Sequence, residues 1–216
     1  MTPRIIRTGT SFHFRFEVEY MQVKILDITT DALYNISMAA RTCYNSREKD
    51  NINKRAEFIK GLIKSGHETP LEFASVVFDI SGVSRVLTHQ LVRHRIASYC
   101  QESQRYVNQL YNPWVCPETI SSNWEAYSEF NQIRNDIYNC YEKLLTLGIP
   151  KEDARYILPE GLSTKICVNF NFRELRHFLK IRLDKHAQWE IRQLAQQMKD
   201  LMITRGYGCI VEDIGE

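Results

Sequence analysis

The sequence predicts an α+β fold, and three observations carry the prediction. Segments 22–29, 73–80 and 163–172 read as strands, the last two by alternation of apolar and polar residues. Longer segments repeat apolar residues three or four apart, as helices do. The helical stretches are uneven in length and lack the regular strand–helix–strand spacing of a doubly wound sheet.

Taken in order, the strand Gln22 to Thr29 follows a second methionine, Met21, so residues 1–20 are expected to be an extension of unknown role ahead of a single domain spanning 21–216. Helices are expected at about 31–44 and 54–64, the second carrying Phe58, Leu62 and Ile63 at helical spacing until Gly66 stops it. In the next strand Val76, Phe78 and Ile80 alternate with Ser75, Val77 and Asp79. Residues 84–94 return to helix, with Val86, Leu87 and Leu91 expected in the core. The longest helix, 124–147, spaces Tyr127, Phe130, Ile133, Ile137, Tyr141, Leu144 and Leu145 along one face and ends at Gly148 and Pro150. A strand over 163–172 turns Ile166, Val168, Phe170 and Phe172 to one side, and helices at 173–183 and 187–203 follow.

Composition narrows the function. With 28 basic against 26 acidic side chains the net charge is +2, too balanced for a general nucleic-acid or membrane field, so any anion site must be local. The six cysteines include no Cys-x-x-Cys pair and read as reduced thiols rather than as a disulfide framework or zinc cluster, and no metal is expected. Arg4, Arg7, Arg15, Glu17 and Glu19 interrupt the first twenty residues, which rules against a signal peptide, and no apolar run is long enough to span a membrane. A cytoplasmic protein is expected.

The densest polar cluster is Arg93-His94-Arg95, then seven residues, then Ser103-Gln104-Arg105. Arginine forks with a hydroxyl suit phosphate oxygens. A solvated basic face at a helix end accounts for the same residues. A second cluster runs from Asn171-Phe172-Arg173 through His177 to Arg182 and His186; its Arg176, Lys180 and Arg182 could equally be surface charges. The third, Gly66-His67-Glu68-Thr69-Pro70-Leu71-Glu72, is a loop that Gly and Pro would shape with or without a ligand. There is no His-Glu-x-x-His, no Gly-rich phosphate loop and no Gly-x-Gly-x-x-Gly. Ser98 or Ser103 could be paired with His94, but no acid is placed behind the histidine, which argues against a serine hydrolase.

Arg93-His94-Arg95 followed by seven residues and Ser103 resembles the signature of the flavin-dependent thymidylate synthases. Three further blocks resemble that family in order and spacing: His67-Glu68-Thr69-Pro70, Arg155-Tyr156-Ile157-Leu158-Pro159 and His186-Ala187-Gln188-Trp189-Glu190-Ile191. The resemblance spans Met21 to Thr204 and implies an antiparallel sheet packed with helices, in a cytoplasmic homotetramer whose active sites are shared between subunits. It implies FAD bound by Thr69, Arg93, His94, Arg95, Gln101, Asn171, Phe172, Arg173 and His177. It implies dUMP bound by Gln90, Arg93, Gln101, Glu102, Ser103, Gln104, Arg105, Arg155 and Arg182, with Glu152 shaping the site. Arg182 would be catalytic, its guanidinium favouring the ionised uracil ring and so a nucleophilic carbon 5. Ser103 would hold phosphate, since it has no identifiable base. NADPH would supply electrons to the flavin and methylenetetrahydrofolate the one-carbon unit; no cysteine nucleophile is required.

Three positions depart from the family pattern: His89 where Arg occurs, Cys100 where Asn is frequent, and Glu102 where Leu is common. Glu102 is compatible with phosphate if its carboxylate points away and weakens dUMP binding if it does not. Two other readings compete: a nucleic-acid binder using the same arginines with Tyr99, Tyr106 and Tyr111 as stacking platforms, and a flavin-binding relative without activity.

Overall fold

The alternation in the central segments is what builds the sheet. In a computed structural model, which describes residues 21–110 and 112–215, strand β2 (Ser75–Ser84) sends Val76, Phe78 and Ile80 to one face, where all three are wholly buried. The partner strand β4 (Ser163–Asn171) does the same with Ile166, Val168 and Phe170. Antiparallel register sets Val76 opposite Phe170, Phe78 opposite Val168 and Ile80 opposite Ile166, the cross-strand pairing that stabilises a sheet. β1 (Gln22–Ile28) flanks β2 and β3 (Ala97–Gln101) flanks β4, giving the order β1-β2-β4-β3, antiparallel throughout. The expected α+β class with an antiparallel sheet is therefore what forms; the proposed extension at 1–20 lies outside the described residues.

Helices close the apolar face of the sheet. α1 (Ala32–Thr42) contributes Ile36, α2 (Arg55–Lys64) Ile59, α3 (Arg85–Leu91) Leu87 and Leu91, and α7 (Phe172–Arg182) Leu175, Phe178 and Leu179. α8 (Trp189–Met202) adds Ile191, Leu194, Ala195, Met198 and Met202. Each of the fully buried Ile, Leu, Phe and Met side chains among these is worth about 1.5–3 kcal/mol of transfer free energy. The opposite face is polar, with Asp79, Cys167 and Cys100 in line across three strands.

Gly82, at φ +69°, sits where the β2–β4 register shifts between Ser81 and Val83. A left-handed residue at a bulge suits glycine. The bulge aims Ser84 to end the strand and cap α3 at once, its hydroxyl accepting from the Leu87 amide at 3.0 Å. α3 stops at Leu91, short of the expected 94, and Val86 faces outward rather than into the core.

Other features also differ from the sequence expectation. β3 was not expected: its Ala-Ser-Tyr-Cys-Gln has a single large apolar residue, and pairing with β4 imposes the strand. Between β3 and β4 lie the short helices α4 (Glu118–Ser121) and α6 (Lys151–Ala154) on either side of α5 (Trp124–Thr146). α5 matches the expected long helix, yet only Tyr138 and Tyr141 on it are fully covered and Ile133 remains half exposed. After α8 a kink at Gly206 (φ +85°) leads into α9 (Gly208–Val211), whose Ile210 and Val211 complete the core. Among the described residues no helix is long and apolar enough to cross a membrane.

Candidate active site

The turn between α3 and β3 presents the first cluster. Tyr99, on β3, reaches back so that its hydroxyl lies 2.9 Å from the Leu91 carbonyl and 2.8 Å from that of His94. One phenolic proton is shared by two acceptors, which pins the turn; burial pushes the Tyr99 pKa up. Consecutive residues then point out, in and out. Arg93 and Arg95 are exposed, with no side-chain hydrogen bond or ion pair among the described residues, while His94 between them is 5% exposed.

α7 forms the opposite wall. Asn171 caps it by accepting from the Glu174 amide at 2.8 Å, which fixes the rotation of the helix. Glu174, His177, Ile181 and Arg182 then face Arg93, His94, Arg95 and Ile96 across an open hollow of about 350 Å³. Arg182 donates through Nε to His94 Nε2 at 3.1 Å and through Nη2 to the Gln90 carbonyl at 3.3 Å. On the other side of the imidazole, Nδ1 lies 3.3 Å from Glu174 Oε1. Burial, then the charge of Arg182, then His177, lower the His94 pKa to about 4, so it is neutral. Burial also raises the Glu174 pKa.

His94, Glu174 and His177 bring ligand atoms within 4.8 Å of one another. A cation there would compete with the Arg182 donor for His94 Nε2 and would sit beside a guanidinium, so this trio is a poor metal site.

Further along α7 the expected flavin residues separate by role. Arg173 pairs with Glu72 at 2.5 Å, next to the exposed Thr69. Asn171 is committed as the cap, and Phe172 is wholly buried with its ring against Tyr207, so the side chain expected beside the flavin is in the core. Arg173 and His177 are one turn apart, so a row of cationic and imidazole groups runs up α7 toward Arg93 and Arg95. That row fits an elongated anionic ligand. On the far side of α7, buried Arg176 binds Asp213 at 2.6 and 2.7 Å and Glu68 at 3.4 Å, and Lys180 reaches Glu68 at 3.1 Å.

The second cluster lies beyond the other end of β3. Ser103 Oγ accepts from the Arg105 amide at 3.3 Å, and Arg105 pairs with Glu152 at 3.0 Å. Arg155 donates to the Glu152 carbonyl at 3.0 Å, and Gln104 is buried nearby in sequence. Gln101 points back, donating to Thr88 Oγ1 at 3.1 Å. Glu102 turns its carboxylate to Asn112 and Gln109 at 3.0 and 3.2 Å, and its amide is taken by the Lys165 carbonyl at 2.9 Å. The carboxylate is thus engaged within the protein. His89 pairs at the surface with Glu160 at 3.3 Å.

Two neighbours escaped the sequence reading. Glu174 faces His94 but reads in sequence as an acidic first-turn residue. Arg85 donates to the Glu102 carbonyl at 3.1 Å, keeps its Nε buried without a partner, and stands near Arg155; the only signal was a basic residue opening α3. The block around Gln188 is architectural. Gln188 caps α8, and Glu190, 2% exposed, holds the amide and hydroxyl of Ser84 at 2.7 and 2.5 Å.

Of the competing stacking platforms, Tyr99 is occupied by the turn, Tyr106 is exposed and Tyr111 lies outside the described residues. No cysteine lines the hollow, and all six are unbridged.

Comparison with known proteins gives the family of the chain. A family model described as thymidylate synthase complementing protein matches residues 24–205. The flavin-dependent thymidylate synthase of Pyrococcus furiosus is 39% identical over 195 residues, 86% of this chain and 80% of its own. That of Geobacter sulfurreducens is 41% identical over 190 residues, 84% of this chain and 82% of its own. The crystal structure of a UMP/dUMP methylase from Streptomyces cacaoi with bound 5-bromo-dUMP superposes with a TM-score of 0.77 at 21% identity, covering 91% of this chain and 98% of that one, which is a likeness of fold. The match over nearly the whole described chain, with the Arg-His-Arg turn and the α7 wall meeting at one hollow, makes this protein a member of the flavin-dependent thymidylate synthase family.

Proposed function

We propose that the protein converts dUMP to dTMP, with methylenetetrahydrofolate as one-carbon donor, FAD as cofactor and NADPH as the source of reducing equivalents. The observation that carries this reading is the convergence of Arg93, His94, Arg95, His177 and Arg182 on one hollow in a chain of this family. The FAD fits the residues present: Arg93 and Arg95 are exposed guanidinium groups without internal partners, suited to a pyrophosphate, and the row continues to Arg173 and Thr69. Held there, FAD in its reduced form would supply the hydride that completes the methyl group.

The chain's own contribution is binding and electrostatics. Arg182 keeps two of its nitrogens on His94 and Gln90 and lines the hollow. Its positive charge, partly desolvated, favours negative charge on the uracil ring and so electron density at carbon 5. Ser103, Arg105 and Arg155 are suited to the nucleotide phosphate, with Gln104 beside them, and Glu102 contributes by fixing the strand end rather than by facing the phosphate.

A homotetramer with shared sites belongs to the same proposal. β3 is five residues long and spans about 13 Å, so the Arg-His-Arg turn and the Ser103 turn of one chain stand at opposite ends of it. Two chains side by side would let one ligand meet both clusters. The half-covered face of α5 supplies apolar surface for such an association.

The test is tritium release from dUMP labelled at carbon 5, with FAD, NADPH and methylenetetrahydrofolate, against a control lacking FAD. FAD-dependent release is expected, and Arg182→Ala should retain flavin while turnover falls by about two to three orders of magnitude. A flavin-loaded tetramer that releases no tritium would overturn the activity; an Arg182→Ala variant as fast as its parent would overturn the role of Arg182.

A further inference from the structure

We propose that Glu174 is a positioning residue for Arg182 and acts through His94: the carboxylate fixes the imidazole tautomer, and the imidazole fixes the guanidinium. The inference rests on the role of Arg182 proposed above.

Geometry sets the chain of reasoning. Arg182 Nε–H donates to His94 Nε2 at 3.1 Å, so that nitrogen carries no proton and the proton of the neutral ring is on Nδ1. Nδ1 lies 3.3 Å from Glu174 Oε1, and both side chains are less than a tenth exposed. A buried carboxylate beside Nδ1 favours a proton there; a proton on Nε2 would set donor against donor at Arg182. The second guanidinium contact, to the Gln90 carbonyl at 3.3 Å, requires the same plane.

Glu174 has an obvious alternative role, since Asn171-x-x-Glu174 has the spacing of a capping box. The forward half of that box is made, the Asn171 side chain accepting from the Glu174 amide. The return bond, from the Asn171 amide to the Glu174 carboxylate, is not made. The carboxylate faces His94 instead, and no lysine or arginine neutralises it by direct contact among the described residues. A helix-dipole role would be served by an exposed acid; a buried one facing an imidazole is explained by what the imidazole holds.

The experiment uses the flavin-loaded enzyme and the variants Glu174→Leu, Glu174→Gln, Arg182→Ala and the double variant Glu174→Leu/Arg182→Ala. Glu174→Leu should lower kcat for tritium release about tenfold or more, as misplacement of a reacting group does, with KM for dUMP within about twofold. Glu174→Gln, whose amide oxygen can still accept from Nδ1, should recover most of the loss. In the Arg182→Ala background Glu174→Leu should cost nothing further. Nitrogen-15 NMR of the imidazoles, with His94 assigned from His94→Gln, provides a readout apart from turnover: a neutral Nδ1–H ring in the parent and a shift toward Nε2–H in Glu174→Leu. An Nε2–H or charged His94 in the parent at neutral pH overturns the inference, even if Glu174→Leu fails to fold. A slow Arg182→Ala with Glu174→Leu within twofold of the parent, or full additivity in the double variant, overturns it while leaving the role of Arg182 intact. A parent-like Arg182→Ala removes both.

Discussion

Replacing Glu190 should show how the sheet supports the site from behind. Its carboxylate is 2% exposed and takes the Ser84 amide at 2.7 Å and the Ser84 hydroxyl at 2.5 Å, at the point where β2 becomes α3. Glu190→Ala leaves the Ser84 amide, itself buried, without an acceptor, which costs about 1–3 kcal/mol, and the stranded hydroxyl proton adds about 1 kcal/mol. Removing a buried carboxylate returns part of this, because burial already raises the Glu190 pKa. The net expectation is about 2–3 kcal/mol, read as a fall in urea midpoint at matched protein concentration, since the assembly proposed above would contribute to stability. Glu190→Gln adds a test of sign. A carboxyl whose folded pKa is raised gives its full contribution below the ordinary carboxyl range and loses it as the pH rises through the folded value. The glutamine has no such loss, so the stability gap between parent and Glu190→Gln should be widest in acid and narrow toward neutrality. A gap independent of pH, or a loss below about 1 kcal/mol in Glu190→Ala, would refute the account of this junction.

Two further outcomes follow from the same structure. Arg176→Met strands Asp213 and Glu68 and should cost about 2–3 kcal/mol, less than a fully buried pair because Asp213 is half exposed. The Arg176 bond lowers the Asp213 pKa, so the parent should lose this stability as the pH falls through the folded Asp213 value, while the variant's urea midpoint stays flatter. Arg105→Ala removes an exposed pair with Glu152 and a contact with the exposed Tyr106 ring and should leave stability within about 1 kcal/mol. Titration calorimetry should nevertheless show dUMP binding weakened about tenfold or more, the loss of one charge-assisted phosphate contact; unchanged affinity would remove Arg105 from the phosphate site.

What the sequence revealed followed from how strongly each local pattern was constrained. β2 and β4 were legible because helices cover one face of both, which requires Val76, Phe78 and Ile80 at every second position of β2 and Ile166, Val168 and Phe170 at every second position of β4. β3 was hidden because its conformation comes from pairing with β4, and Tyr99 serves the turn before it as much as the sheet. α5 was legible as a helix, but its period could not tell a face covered within the chain from one left for another copy. Gly206, which redirects the chain into α9, looked like any glycine near a helix end.

The site divides in the same way, and the division separates ligand chemistry from support. Arg93 and Arg95 stood out because, with His94 and the following Ser103-Gln104-Arg105, they form the densest polar cluster of the sequence; the structure leaves both guanidinium groups exposed on either side of a buried histidine. Glu174 did not, because an acid three residues after an asparagine cap is ordinary in a helix. Only packing α7 against the α3–β3 turn turns that acid toward His94. Of the residues proposed to touch a ligand, Arg93 and Arg95 project from a turn and leave a compositional trace; the residue proposed to orient Arg182 sits in a regular element, where its role depends on the neighbour across the gap. Arg182 belongs to both groups, being the last residue of α7 and held on His94 and Gln90. Its reach into the hollow is therefore set by the docking of two elements, so a change at Glu174 or Glu190 can alter its geometry without touching any ligand.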